Sequence, residues 1–239
     1  MKTVILQIIS GTIIIACLLA EYKKRELPKA GYGDYSQKKR IVKQGLLGMF
    51  IGTIAMVFVW LAVILTGNGM IEPGEALSFH SFFLCVVYFI YYIIVAVEEE
   101  MIFRGFLMGI AKQNMYSLRK SVIVSALVFA AAHLANNGVS VIAVINLTLF
   151  GVVFGLSYGY TNNLAMPIGI HLMWNFVQSI LGFCVSGYDR FHIVQIKLPT
   201  YNYYNGGKFG PEAGVFTTII GVILIIGICF VHNKKSSCN

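Results

Sequence analysis

The chain has 239 residues, 57% of them hydrophobic and only 12% charged, with a mean hydropathy of +0.76. Soluble domains carry about 25% charged residues, so this composition excludes an ordinary water-soluble globule and predicts an all-α, polytopic transmembrane helix bundle. The net charge of +8 sits mostly in loops between apolar runs; it favours anionic lipid headgroups and requires no nucleic acid.

Apolar runs at about 3–20, 45–66, 80–111, 121–135, 139–160, 164–185 and 213–232 predict seven spans within one integral membrane domain over 1–239. The run 80–111 is too long for one straight crossing and is expected to tilt or to break, giving eight helices. The first run resembles a signal peptide, and "IIAC" at 14–17 a lipoprotein box. However, the apolar stretch continues past Cys17, and eight basic residues follow between 21 and 43. That density reads as a cytoplasmic loop under the positive-inside rule. Alternation then puts 67–79 and 186–212 outside, and Lys112, Arg119, Lys120, Lys234 and Lys235 inside. The expected setting is the plasma membrane, with the N-terminus outside and the C-terminus cytoplasmic.

The five cysteines, Cys17, Cys85, Cys184, Cys229 and Cys238, show no CxxC spacing. Most lie in apolar runs, where a thiol behaves as a small hydrophobe, so neither a disulfide framework nor a zinc knuckle is expected. Cys238 is too close to the end to form a prenylation box.

Within the third run stands "VEEEMIFRGF" at 97–106. Four ionised groups at membrane depth cost roughly 10 kcal/mol together unless they pair or face a wet cavity. The stretch 101–111, apolar but for Arg104, runs on until Lys112, about 13 residues or 20 Å of helix beyond Glu99, so a mere interfacial position is the poorer reading. Glu100 and Arg104 are i and i+4 and can neutralise one another. Glu99 is rotated about 100° from Glu100 and has no base in its own helix. It is the spare carboxylate, the kind of group that serves as general base or acid. Glu98 faces solvent or a neighbouring helix and has no assigned role.

His133 ends "FAAAH" with Phe129 one turn below, and His171 opens "HLMWN" with Asn175 on the same face. A single buried histidine is usually structural. Two of them with a buried Asn and a spare Glu instead supply a base, a water-holding group and two oxyanion donors. Tyr158, Tyr160, Asn162 and Asn163 read as a turn at the membrane surface, and "YNYYNGG" at 201–207 as an outer loop. His80, His192 and His232 are expected to be structural.

"EEMIFRG" at 99–105, "FAAAH" at 129–133 and "HLMWN" at 171–175 resemble the EExxxR, FxxxH and HxxxN motifs of the CPBP intramembrane glutamic endopeptidases. That family includes type II CAAX prenyl proteases and proteins linked to bacteriocin processing and self-immunity. The likeness runs from about 80 to 185, the expected catalytic core. It implies a hydrolase acting on peptide bonds, without cofactor or metal, on a peptide or protein substrate that is lipidated or membrane-associated. Residue by residue, it implies that Glu99 activates water with His133 helping to hold it, that Glu100 and Arg104 support the site, and that His171 and Asn175 stabilise the oxyanion. The extra Glu98 departs from the pattern. Substrate and water are expected from the cytoplasmic side, where the nearest loop charges lie. Two rival readings remain: a zinc-dependent protease using Glu99, His133 and His171, and a non-catalytic membrane protein such as an immunity factor or transporter.

Overall fold

The computed structural model describes residues 2–24, 37–72, 78–114 and 116–236. The middle of the basic 21–43 loop, Glu75 and Cys238 lie outside them. Each of the seven apolar runs is helical: α1 (Lys2–Lys24), α2 (Lys38–Leu65), α3 (Phe79–Glu100), α5 (Leu118–Ala132), α6 (Val141–Thr161), α7 (Ala165–Ile180) and α8 (Val215–Ser236). The third continues without interruption from α3 through a π-helical stretch, Met101–Leu107, into α4 (Met108–Gln113). The expected break is therefore a change of helical pitch, and the rod is not split in two.

Four stretches are long and apolar enough to cross a bilayer: Lys38–Leu65, Phe79–Ala111, Val141–Thr161 and Val215–Lys234. The protein is an all-α membrane bundle. α5 and α7 are shorter, at 15 and 16 residues.

Local sequence sets the helix starts. Ser78, Ser117 and Ser140 each accept a backbone N–H three residues ahead and cap α3, α5 and α6. Asn162 takes the left-handed conformation that ends α6 (φ 54°), and the Asn163 side chain accepts the Ala165 N–H at 3.0 Å to open α7. The turn expected at 158–163 is thus confined to Asn162 and Asn163, since Tyr158 and Tyr160 lie in α6 and Tyr158 is buried.

Packing follows membrane rules: small residues lie between helices, while large apolar side chains such as Phe50, Phe58, Ile226 and Phe230 remain exposed for lipid. The tightest contact joins α2 to α7. A Cβ added at Gly48 or Gly52 would overlap the Met166 or Ile170 carbonyl oxygen, and one at Gly169 would overlap that of Gly45. Only glycine lets these backbones approach so closely. The main core, including Met56, Val59, Phe129, Phe150, Phe154, Ile170 and Trp174, fills the space between α2, α5, α6 and α7.

One end of the bundle carries an ordered cover. β1 (Met70–Glu72) pairs antiparallel with β2 (Gln195–Lys197), Met70 opposite Lys197. Asn205, fully buried, donates to the carbonyls of Asn68 (3.0 Å) and Thr200 (2.7 Å). His192 hydrogen-bonds the Ser179 carbonyl and Asp189, so its role is structural. Tyr160 stacks on His232 at the other end, with ring centroids 3.7 Å apart.

Candidate active site

The three motifs converge from three helices. Glu100 and Arg104 are completely buried, with Arg104 Nη1 2.9 Å from Glu100 Oε1. The guanidinium also donates to the Gly151 carbonyl at 3.2 Å and lies over the Phe129 ring, 4.6 Å from its centroid. Arg104 falls inside the π-helical stretch, a local irregularity common at functional sites. Ser125 of α5 donates to the Phe103 carbonyl at 2.9 Å and ties that stretch to its neighbour.

Glu99, one residue earlier, faces a cavity of about 490 Å³. His133, His171 and Asn175 line the same cavity. Glu99 Oε2 stands 4.0 Å from His133 Nε2 and 3.9 Å from His171 Nε2. These separations are too long for direct hydrogen bonds, yet short enough for one oxygen atom to reach all three groups. Each imidazole is oriented from behind. His133 Nδ1 is 2.8 Å from the Phe129 carbonyl, which can only accept, so Nδ1 carries the proton and Nε2 faces Glu99. His171 Nδ1 is 3.0 Å from Glu100 Oε1, and its ring stacks on Phe154 with centroids 5.0 Å apart. The buried ion pair is thereby linked to the cavity through His171. Asn175 is buried and sits one turn beyond His171 on the cavity face.

Glu98 packs against α1, where a Cβ at Gly11 would lie 2.6 Å from its Oε2. The third glutamate is an interhelical contact outside the cavity.

Several lining residues had not been singled out from the sequence. Glu212, in the 3-10 turn Pro211–Ala213, accepts the Ser186 N–H at 2.5 Å and Gln178 Nε2 at 3.2 Å. Burial pushes its carboxyl above the usual range despite these donors. Asn146 donates to the Glu212 and Gly214 carbonyls at 2.7 and 2.9 Å, holding that turn over the cavity. Asn136, Ser186, Tyr188 and Arg190 complete this wall. A signal existed for two of them: Asn146 interrupts an apolar helix, and Glu212 follows a proline just before a span. The stretch 186–212 thus forms one wall of the cavity. Because it folds back onto the bundle, the lining comes from the β1–β2 end, and among the described residues none comes from the ends nearest Lys38, Arg119 or Lys234. Entry was expected from the side of the basic loops, whereas this lining lies toward the opposite end.

Among the described residues, no group of three His, Cys, Asp or Glu side chains is arranged to hold a metal ion. The geometry offers a carboxylate beside two imidazoles and a carboxamide in a half-enclosed, largely apolar hollow. The model of a family described as type II CAAX prenyl endopeptidase Rce1-like matches residues 81–177, a stretch that contains all three motifs. No curated protein matches the chain, and no solved structure does.

Proposed function

We propose that this chain, whose residues 81–177 match the model of the type II CAAX prenyl endopeptidase Rce1-like family, is a membrane protease that hydrolyses peptide bonds by a glutamate-activated water without a metal. The observation that carries this reading is the convergence of Glu99, His133, His171 and Asn175 on one cavity.

In the proposed reaction, Glu99 takes a proton from water while His133 Nε2 holds that water in place. The resulting hydroxide adds to the scissile carbonyl carbon, and the carbonyl oxygen becomes an oxyanion. Asn175 Nδ2 and His171 stabilise it. With His171 Nδ1–H committed to Glu100, its donation to the oxyanion requires a second proton on Nε2, a charge that the Glu100 carboxylate offsets. Collapse breaks the C–N bond, and the proton on Glu99 passes to the leaving amine, which restores the carboxylate. The low-dielectric surroundings strengthen each of these interactions. Arg104 fixes Glu100 and so His171.

The substrate is a peptide or protein segment at the membrane, of CAAX type or a bacteriocin-like peptide undergoing maturation. The catalytic core is 80–185 within one membrane domain, in the plasma membrane with the N-terminus outside. The test is peptide profiling of cells carrying the wild-type chain or Glu99→Gln, followed by cleavage assays with purified protein. Undiminished cleavage by Glu99→Gln would overturn the assignment, and chelator-sensitive activity restored by zinc would favour a metalloprotease. An immunity phenotype that survives Glu99→Ala would favour a binding role.

A further inference from the structure

We propose that the cavity is served from the extracytoplasmic side, so that the substrates are exported peptides or outward-facing segments of membrane proteins. This rests on the proteolytic reading and adds the side on which that chemistry occurs. Two independent observations carry it.

The first is the distribution of charge over the two ends of the bundle. Arg40 Nη2 reaches the Thr161 carbonyl at 3.4 Å, and Tyr160 stacks on His232. The start of α2 and the ends of α6 and α8 therefore share one face. The β1–β2 pair, with Asn202 Nδ2 2.9 Å from Asn68 Oδ1, marks the opposite face. Of the 16 lysines and arginines among the described residues, eleven fall at 23–24, 38–43, 112–120 and 234–235, all at the first face; Lys2, Arg190, Lys197 and Lys208 fall at the second, and Arg104 is buried. An excess of eleven over four among the described residues puts the first face in the cytoplasm.

The second observation is the position of the mouth. Ser186, Tyr188, Arg190 and Glu212 all belong to the segment between α7 and α8 at the second face, and Gln7 enters the lining from the first turns of α1 at that same face. Deep in the cavity, Phe103, Phe129 and Phe154 close it toward the basic end. The reacting groups thus open away from the cytoplasm.

The test uses the wild-type chain in protoplasts and in inside-out vesicles. A membrane-impermeant amine reagent is expected to modify Lys197 and Lys208 from the outside, and Lys38, Lys39 and Lys120 only in inverted vesicles; the reverse pattern overturns the proposal. A Tyr188→Cys variant should react with an impermeant maleimide in protoplasts, and reaction confined to inverted vesicles also overturns it. An impermeant quenched peptide should be cleaved by protoplasts, whereas cleavage only by inverted vesicles leaves proteolysis standing and refutes the sidedness. If no peptide is cleaved even in detergent, the proteolytic reading falls, and the two labelling patterns still decide the face.

A different feature of the same wall points to a second inference: Arg190 is an anchor for a carboxylate of the peptide, at its C-terminus or on an acidic side chain. Among the described residues Arg190 is the one lysine or arginine lining the cavity, and it makes no ion pair with a carboxylate there. Its neighbour Asp189 is engaged by His192, and Glu212 is held by Ser186 and Gln178. The guanidinium is instead flanked by Tyr188 and Tyr91, 4.9 and 5.7 Å from their ring centroids. Aromatic flanks pre-organise its planar fork, whose geometry matches a carboxylate. Matched peptides with a free or amidated C-terminus, and with Asp or Asn near the scissile bond, separate the two sources. For one pair, kcat/KM should favour the carboxylate by about 10- to 100-fold, mostly through KM. Arg190→Gln should bring that ratio near one, and Arg190→Lys should restore part of it. A ratio near one in the wild type, or one that Arg190→Gln leaves unchanged, overturns the anchor. Fluorescence anisotropy of the same peptides on Glu99→Gln protein reads the preference without turnover, so it stands or falls apart from the chemistry.

Discussion

Replacing Arg104 with Met keeps most of the side-chain length and removes the charge from a completely buried pair. At the observed 2.9 Å, two unit charges in an effective dielectric of about 20 attract by roughly 6 kcal/mol. Desolvation of both groups cancels much of that gain, so the pair itself contributes little net stability. Breaking it is another matter, because the survivor stays buried. Stranding one member of such a pair costs about 3–5 kcal/mol. Arg104→Met should fall at the lower end, because His171 Nδ1, 3.0 Å from Glu100, remains to hold the carboxylate. Glu100→Gln should fall at the higher end, since it leaves a guanidinium without a counter-charge among Phe103, Phe129 and Phe154, with only neutral acceptors, the Gly151 carbonyl and the new amide oxygen. The double variant should cost less than the sum of the singles, with a coupling of about 2 kcal/mol or more. Equilibrium unfolding in mixed SDS micelles, followed by Trp60 and Trp174 fluorescence, measures all four corners. Coupling below about 0.5 kcal/mol, the range of exposed pairs, would refute the reasoning.

Asn175→Ala should lower kcat by about 100- to 1,000-fold with little change in peptide affinity, the signature of a lost oxyanion donor; a change confined to KM would contradict the role. Gly48→Val should cost about 3 kcal/mol or prevent folding by forcing α2 away from the Met166 carbonyl, while Gly227→Ala, at a position with nothing within 4 Å, should be silent in the same unfolding assay. Glu212 gives a pH dependence. Because burial raises its folded value, its contribution to stability is full below the unfolded value of about 4.5 and is lost as pH rises through the folded value. The melting temperature of the wild type should therefore fall relative to Glu212→Gln as pH increases above 4.5, and a constant gap from acid to neutral pH would exclude this.

Periodicity and composition decided the lipid-facing bundle, since a bilayer requires apolar runs of a given length wherever they occur in the chain. The same local logic gave the Glu100 to Arg104 pairing and the separate direction of Glu99, because four-residue spacing on one helix is settled by helix geometry alone. The serine caps and the double cap at Asn162 and Asn163 were equally local.

What the sequence by itself could not determine was which parts of distant segments meet. Glu212 lies 79 residues beyond His133, and its place over the cavity depends on Asn146, Ser186 and Gln178, contacts that no periodicity encodes. Loop charges suggested one side of entry, but the chain between α7 and α8 folds back through β2 and its buried Asn205 and adds cavity lining at the opposite end. Glu98, alike in sequence to its two neighbours, was separated from them by the rotation of about 100° per helical residue and by the presence of Gly11 opposite it. Side-chain type and spacing are local properties that one helix fixes. Enclosure depends on long-range contacts, and only the packing of the whole bundle with its cover determines it.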